Sequence, residues 1–150
     1  MYHYKFTGCF VDPQEFWNKI KKIRTSPLRI SVPIPHVTFA YRPAFIDESL
    51  FGIPMTITIT GYGCDGQNEA VKVKVKSDNP KLEKMIQAIA VPHITISLSE
   101  GAEAVNSRGL DFKPVQHVTL QGVYGSATED DEVITNVNSS DRLLIENSSF

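Results

Sequence analysis

Cysteine is scarce in this chain, which holds only Cys9 and Cys64 among its 150 residues. The two form neither a CxxC pair nor the closely spaced framework of a disulfide-stapled domain, so we expect reduced thiols in an intracellular protein. No segment reaches about 18 consecutive apolar residues, and the N-terminus lacks the basic and apolar regions of a signal peptide. These absences argue against secretion and against insertion into a membrane.

An excess of basic residues is missing as well. Fifteen Lys and Arg stand against seventeen Asp and Glu, which gives a net charge of −2. This balance argues against a protein that grips long duplex nucleic acid, but it permits a small anionic ligand in a local pocket. With 41% hydrophobic residues and no low-complexity tract, the chain can bury a substantial core as one domain over residues 1–150.

One short motif occurs twice, as PHVTFA from position 35 and as PHITIS from position 92. Residues two apart on a strand face the same way, so His36 with Thr38, and His93 with Thr95, should each project from one face. A third HxT begins at His117 but follows Gln rather than Pro. We therefore expect His36 and His93 to be the working pair.

Capping patterns and periodicity predict the surrounding elements. An acidic or amide residue followed by Pro opens both DPQEFWNKIKKI and NPKLEKMIQAIA, which we interpret as helices. Alternating runs on either side of Asp65 and Gly66 predict a hairpin. The HxT strands are predicted from about Ile30 to Tyr41 and from His93 to Ser99. The order of elements suggests two related α+β lobes that face each other.

Two other patterns favour structural interpretations. The letters GYGCDG match GxGxxG but precede a strand pattern, whereas a dinucleotide site needs a helix there, so a hairpin turn is the better interpretation. Lys72, Lys74 and Lys76 alternate with Val. We expect them to form a solvated face that guards an edge strand against pairing, rather than to contact phosphate.

Paired His and Thr side chains suit metal-free chemistry on a ribose phosphate. One neutral imidazole can take a proton from a 2′-hydroxyl, and one protonated imidazole can give a proton to the departing 5′-oxygen. Each Thr hydroxyl can donate to a non-bridging phosphate oxygen. The sequence has no HExxH and no carboxylate close to either motif, so we expect no metal and no cofactor. The motif leaves open which His is the base.

Aromatic and acidic residues near the two termini could hold a base. Tyr2, Tyr4 and Phe6 are predicted on one face of the first strand, and Phe150 ends the chain, so a base could stack between an N-terminal ring and a C-terminal ring. Glu146 could accept a hydrogen bond from an exocyclic amine such as that of adenine.

The two PHxT motifs resemble those of the two-histidine (2H) phosphoesterase superfamily, which includes RNA 2′,3′-cyclic phosphodiesterases and LigT-like enzymes. The whole chain, including HITISLSEGAEAVNSRGL, is similar to phage anti-CBASS phosphodiesterases of that superfamily. This resemblance implies an α+β, bilobal LigT-like fold, with two antiparallel sheets that form a central cleft flanked by helices. It also implies a metal-independent enzyme that cuts cyclic di- and trinucleotide messengers in the cytoplasm of the infected bacterial host, without an obligate protein partner.

The same resemblance implies roles for individual residues. The motif positions His36, Thr38, His93 and Thr95 would be catalytic, and Tyr4, Glu146 and Phe150 would bind the substrate. Two alternatives stay open from the sequence. The same chemistry could act on linear RNA ends that carry 2′,3′-cyclic phosphates, or the protein could be a sponge that binds a cyclic nucleotide without cutting it.

Overall fold

The computed structural model describes residues 4–130 and 132–136. Antiparallel strands and two helices make up these ranges, which confirms a mixed α and β protein. The elements are β1 (Tyr4–Val11), α1 (Pro13–Ile20), β2 (Ile30–Ser31), β3 (His36–Tyr41), β4 (Pro54–Cys64), β5 (Asn68–Lys76), α2 (Pro80–Gln87), β6 (His93–Leu98), β7 (Lys113–Thr128) and β8 (Val133–Ile134). Two short 3-10 helices lie at Glu48–Leu50 and Ala104–Gly109.

Both helices begin where the sequence predicts. The Asp12 carboxylate accepts the backbone N–H of Glu15 at 2.8 Å, and the Asn79 side chain accepts those of Lys81 and Leu82 at 2.9 and 3.1 Å. These bonds satisfy amide groups that have no partner inside the first turn of a helix. Neither helix, nor any other in the described ranges, combines the length and the apolar character that crossing a bilayer requires.

The strands follow the order β2-β6-β5-β4-β7-β1-β3, with β8 added to β7, and the described pairs are antiparallel. Two units repeat one plan, β1-α1-β3 and β5-α2-β6, and each ends on an HxT strand that pairs with the first strand of its unit. The described strands form one hydrogen-bonded sheet in place of the two sheets that the resemblance implies. The long strands β4 and β7 pair with each other and join both units into one hydrogen-bonded order.

Residues 32–35 tie the two ends of this order together. They connect β2, which pairs with β6, to β3, which pairs with β1. The Val32 N–H donates to the Ile96 carbonyl at 2.9 Å, and the Val11 N–H donates to the Pro35 carbonyl at 3.3 Å. Because so short a link joins both end strands, the sheet curls, and Cα atoms of β3 and β6 approach within 8 Å. Pro33 and Pro35 lack the N–H that a ladder needs, which explains why the predicted strand over 30–41 is broken here.

Both helices pack on one face of the sheet. The main core there is made of buried side chains of both helices and of the strands, namely Cys9, Val11, Phe16, Ile20, Val37, Leu50, Met55, Ile57, Ile59, Tyr62, Val71, Val73, Leu82, Ile86, Ile94, Ile96, Leu120 and Tyr124. A smaller cluster uses the alternate residues of β1 and lies on the other face, formed by Phe6, Phe10, Ile34, Ala127 and Val133.

The hairpin predicted around Asp65 and Gly66 is present between β4 and β5. The Asp65 carboxylate accepts the N–H groups of Gln67 and Asn68, and Gly66 has a φ of 85° that suits glycine. The expectation that the lysines of β5 guard an edge is wrong, because β5 lies between β4 and β6 and has no open edge.

Candidate active site at the HxT strands

The two HxT motifs open β3 and β6 in the same way. Val37 and Ile94, the residues between His and Thr, are completely buried in the main core. Alternation therefore turns both His–Thr pairs toward the opposite face of the sheet, as predicted. His36, His93 and Thr95 are half-buried there, and Thr38 is exposed.

Both imidazoles are held by the backbone two residues earlier. His36 Nδ1 lies 2.9 Å from the Ile34 carbonyl, and His93 Nδ1 lies 2.9 Å from the Val91 carbonyl. A carbonyl oxygen can only accept, so Nδ1 carries the proton in each ring. This fixes the tautomer in which Nε2 has the lone pair and can take a proton from another group.

His36 sits among aromatic rings. The Phe6 ring stacks on the imidazole with centroids 4.5 Å apart, and the Phe10 ring lies 5.7 Å away. Burial lowers the pKa of His36 to about 4, against the opposing effect of the Ile34 carbonyl, and the positive charges of His93 and Lys5 lower it further. His36 is therefore neutral at pH 7 and suited to act as a base.

His93 has a different environment. Burial lowers its pKa, the hydrogen bond to the Val91 carbonyl opposes that shift, and the positive charge of Arg108 adds to the lowering. Arg108 belongs to the exposed 3-10 helix at Ala104–Gly109, which packs beside β5 and β6. Each imidazole thus has a cation close enough to influence its charge, Lys5 at His36 and Arg108 at His93.

The structure brings the two motif histidines together. Their strands approach within 8 Å between Cα atoms, and the charge of His93 is felt by His36. His117, by contrast, is exposed on β7, and β4 and β5 separate that strand from β6. His117 also lies beyond the part of β7 that pairs with β1, from Gly122 to Thr128. Of the three HxT motifs, those of His36 and His93 are the two whose strands approach each other.

Thr95 belongs to a polar chain that sequence reasoning missed. Its hydroxyl lies 3.0 Å from the hydroxyl of the fully buried Ser107 and 3.5 Å from the Ala104 carbonyl. The Asn68 side-chain amide donates to the Ser107 oxygen at 3.0 Å and to the Glu103 carbonyl at 2.8 Å. The Ser107 oxygen has two lone pairs and so accepts hydrogen bonds from both Asn68 and Thr95, which fixes the position of the Thr95 hydroxyl on β6.

Tyr4 contacts Phe51 and Glu48. Its ring meets Phe51 edge-on at 5.8 Å, Phe51 in turn contacts Tyr124 of the main core, and its hydroxyl donates to the Glu48 carboxylate at 2.5 Å. Burial, with help from Glu48, raises the pKa of Tyr4. The register of β1 against β7 shifts between Tyr4 and Phe6, so Lys5 is the extra residue of a bulge. The bulge explains why Tyr4 and Phe6 do not share a face as simple alternation predicts.

The remaining predicted contacts, Glu146 and Phe150, lie outside the described residues, and their roles stay predictions. Lys5, Arg108 and Ser107 escaped sequence reasoning because each reaches the site through a local irregularity, a bulge or a 3-10 helix, that leaves no periodic pattern.

Neither a scan against protein-family models nor a search of curated proteins gives a match.

In the part of the chain that the structure describes, no three His, Cys, Asp or Glu side chains gather closely enough to hold a metal ion. The candidate function rests on the residues of the site itself.

Proposed function

We propose that this protein is a phosphodiesterase that cuts the 3′-5′ linkages of cyclic di- and trinucleotides without a metal ion. The observation that carries the proposal is the pair of imidazoles on two strands that meet, each with Nδ1 bound to the carbonyl two residues earlier. Two such rings supply the base and the acid that cleavage of a ribose phosphodiester requires.

In the proposed mechanism His36 is the base. Its pKa of about 4 keeps it neutral, so Nε2 can take the proton of a substrate 2′-hydroxyl. The 2′-oxygen then attacks the adjacent phosphorus, the bond to the 5′-oxygen breaks, and a 2′,3′-cyclic phosphate forms on a linear product. Water can open that phosphate to a 3′-phosphate in a second step.

His93 is the acid of the first step and protonates the departing 5′-oxygen. Its pKa in the protein alone is lowered, but the negative charge of a bound phosphate favours the protonated ring. Thr38 and Thr95 donate hydrogen bonds to the non-bridging oxygens as charge builds there. Lys5 and Arg108 add positive charge beside the two rings.

The resemblance to phage anti-CBASS phosphodiesterases gives the proposal its setting. Destruction of a cyclic nucleotide messenger in the cytoplasm of an infected bacterium would prevent activation of the CBASS effectors that kill the cell. The LigT-like bilobal fold is part of the same proposal, and the repeated β-α-β plan with an HxT strand at the end of each unit supports it.

Incubation with 3′,3′-cGAMP in EDTA, followed by separation of the products, tests the proposal. We expect a linear product with a 2′,3′-cyclic phosphate, and no cleavage of an analogue that lacks the attacking 2′-hydroxyl. His36→Ala and His93→Ala should each lose at least about 10²-fold in rate, as expected for an acid and a base. His117→Ala is the matched control and should retain activity. If 3′,3′-cGAMP stays intact after incubation with the wild-type protein, the proposal is wrong.

The same experiment separates the two alternatives. A faster rate on an RNA oligomer with a 2′,3′-cyclic end than on any cyclic nucleotide would assign the chemistry to linear RNA. Recovery of unaltered 3′,3′-cGAMP from a tight complex after denaturation would show that the protein binds the nucleotide without cutting it.

A further inference from the structure

A row of lysines begins at the candidate active site. Lys72, Lys74 and Lys76 of β5 are exposed, whereas Val71 and Val73 between and before them are buried. Since β5 is an interior strand, this row does not protect an edge, and its position on the sheet needs another explanation.

Lys72 is the direct cross-strand partner of His93, as Val71 is of the buried Ile94. Partners in an antiparallel ladder project from the same face, so Lys72 shares the face of His93 and the row leads away from the site. Successive lysines are two residues apart, which separates them by about 6.5 Å along the strand.

The residues of β4 that pair with the second and third lysines are polar and uncharged. Thr58 of β4 pairs with Lys74, and Thr56 pairs with Lys76. Beyond β4, Thr119 and Gln121 of β7 occupy the corresponding positions. No ion pair within residues 4–130 and 132–136 includes any of the three lysines. Their charge is thus available to an anion from outside the chain.

We propose that Lys72 and Lys74 bind phosphates of the substrate other than the one being cut. This inference rests on the proposed function and names its ligand class, a ribonucleotide with at least two phosphodiester groups. The imidazoles occupy one phosphate, and every cyclic di- or trinucleotide carries another. The step between adjacent lysines is similar to the step between successive phosphates of a nucleotide chain, so the row can meet them in register.

Lys76 lies two steps from Lys72 and distinguishes the possible sources of that phosphate. A compact ring places its second phosphate near Lys72 and Lys74, whereas an extended RNA strand can also reach Lys76. If both substrates bind to this row, Lys76→Gln should raise KM for an RNA oligomer and leave KM for 3′,3′-cGAMP unchanged.

The test measures kcat and KM on 3′,3′-cGAMP for the double variant Lys72→Gln and Lys74→Gln. We expect KM to rise about tenfold with kcat within about twofold, because partly solvated charge pairs contribute modestly to binding. The dependence of KM on salt should also weaken, since fewer phosphate charges are neutralised. The double variant Lys19→Gln and Lys84→Gln changes exposed lysines of α1 and α2 on the helical side, removes the same two charges and should leave KM unaltered.

A second measurement separates this inference from the proposed function. Labelled 3′,3′-cGAMP is titrated into His36→Ala protein with and without the two lysine substitutions, which reports binding without cleavage. Weaker binding of the lysine variant supports the phosphate row even if the wild-type protein cuts nothing. If the wild type cuts the substrate but the lysine variant has unchanged KM and unchanged binding, the lysines do not bind phosphate. That result would contradict this inference and would not affect the proposed function.

Discussion

The imidazole of His36 stacks on the ring of Phe6, with centroids 4.5 Å apart and planes inclined by 24°. Burial of the imidazole favours its neutral form and lowers the pKa of His36 to about 4. Between pH 6.5 and 4 the unfolded chain therefore binds a proton at this position that the folded protein does not. We expect the free energy of unfolding to fall as the pH decreases through this window, as measured by urea denaturation at several pH values.

The variant His36→Gln isolates this contribution, because it removes the titrating group and leaves the carboxylates and His93 in place. Its free energy of unfolding should depend less steeply on pH between 4 and 6.5 than that of the wild type. Equal slopes for the two proteins would show that His36 titrates alike in the folded and unfolded states.

Activity should have a pH optimum on the acid side of neutrality. The proposed mechanism needs His36 neutral and His93 protonated, and both pKa values are lowered, that of His36 to about 4. We therefore expect kcat/KM, which reports the unbound enzyme, to be highest between about pH 4 and 6.5 and to fall above that range. The descending limb of kcat should lie at higher pH, because bound phosphate stabilises the protonated His93. A kcat/KM that climbs to a plateau at alkaline pH would rule out His93 as the acid.

Local rules predicted the parts of this fold that depend on neighbours in sequence. Alternation turned the HxT side chains away from the core, and Asp12 and Asn79 began both helices. The pairing of strands that lie far apart in the sequence could not be predicted. The short link at residues 32–35 joins the two end strands of the order. The bulge at Lys5 brings the charge of Lys5, rather than the Tyr4 ring, to act on His36. Both depend on strand pairings that no single stretch of sequence encodes.

We expect Ser107 to affect kcat only through its hydrogen bond with Thr95. Ser107→Ala removes the hydroxyl that accepts the hydrogen bond of Thr95 and fixes its position, so we expect kcat to fall about 3- to 10-fold with little change in KM. Thr95→Val removes the phosphate donor itself and should cost about 10²-fold. In the double variant kcat should equal that of Thr95→Val. Multiplicative losses would mean that Ser107 acts on the rate by a separate route, such as a general loss of structure.

Gly8 permits the close approach of β3 to β1. A Cβ at this position would lie 2.1 Å from the Val37 carbonyl oxygen, and Val37 stands between His36 and Thr38. Gly8→Ala should therefore displace the first motif, with a loss of about 1–3 kcal/mol in stability and a drop in kcat/KM. Gly109→Ala is the matched control, since a Cβ there meets nothing within 4 Å. Thermal unfolding and steady-state kinetics on both variants measure the contrast.

A buried carboxylate anchors the segment after α1 on the helical side of the sheet. Glu69 is fully buried and accepts hydrogen bonds from the Arg24 guanidinium at 2.6 and 3.1 Å, from the Tyr62 hydroxyl at 2.6 Å and from the Ser97 hydroxyl at 2.5 Å. The Tyr62 oxygen in turn accepts the N–H of Ser26 at 3.0 Å. Strands β4, β5 and β6 and the segment that follows α1 thus meet at one charged group.

Glu69→Gln should destabilise the protein by about 3 kcal/mol, because it leaves the Arg24 guanidinium, only 20% exposed, without its counter-charge. The matched control is Glu100→Gln, whose partner Arg29 and own side chain are both 80% exposed. That substitution should change the free energy of unfolding by no more than about 0.5 kcal/mol, since water solvates both charges. Urea denaturation of the two variants at pH 7 gives the comparison. Equal stabilities would mean that water or another group compensates Arg24 when the carboxylate is lost, and that the segment after α1 is held by its other contacts.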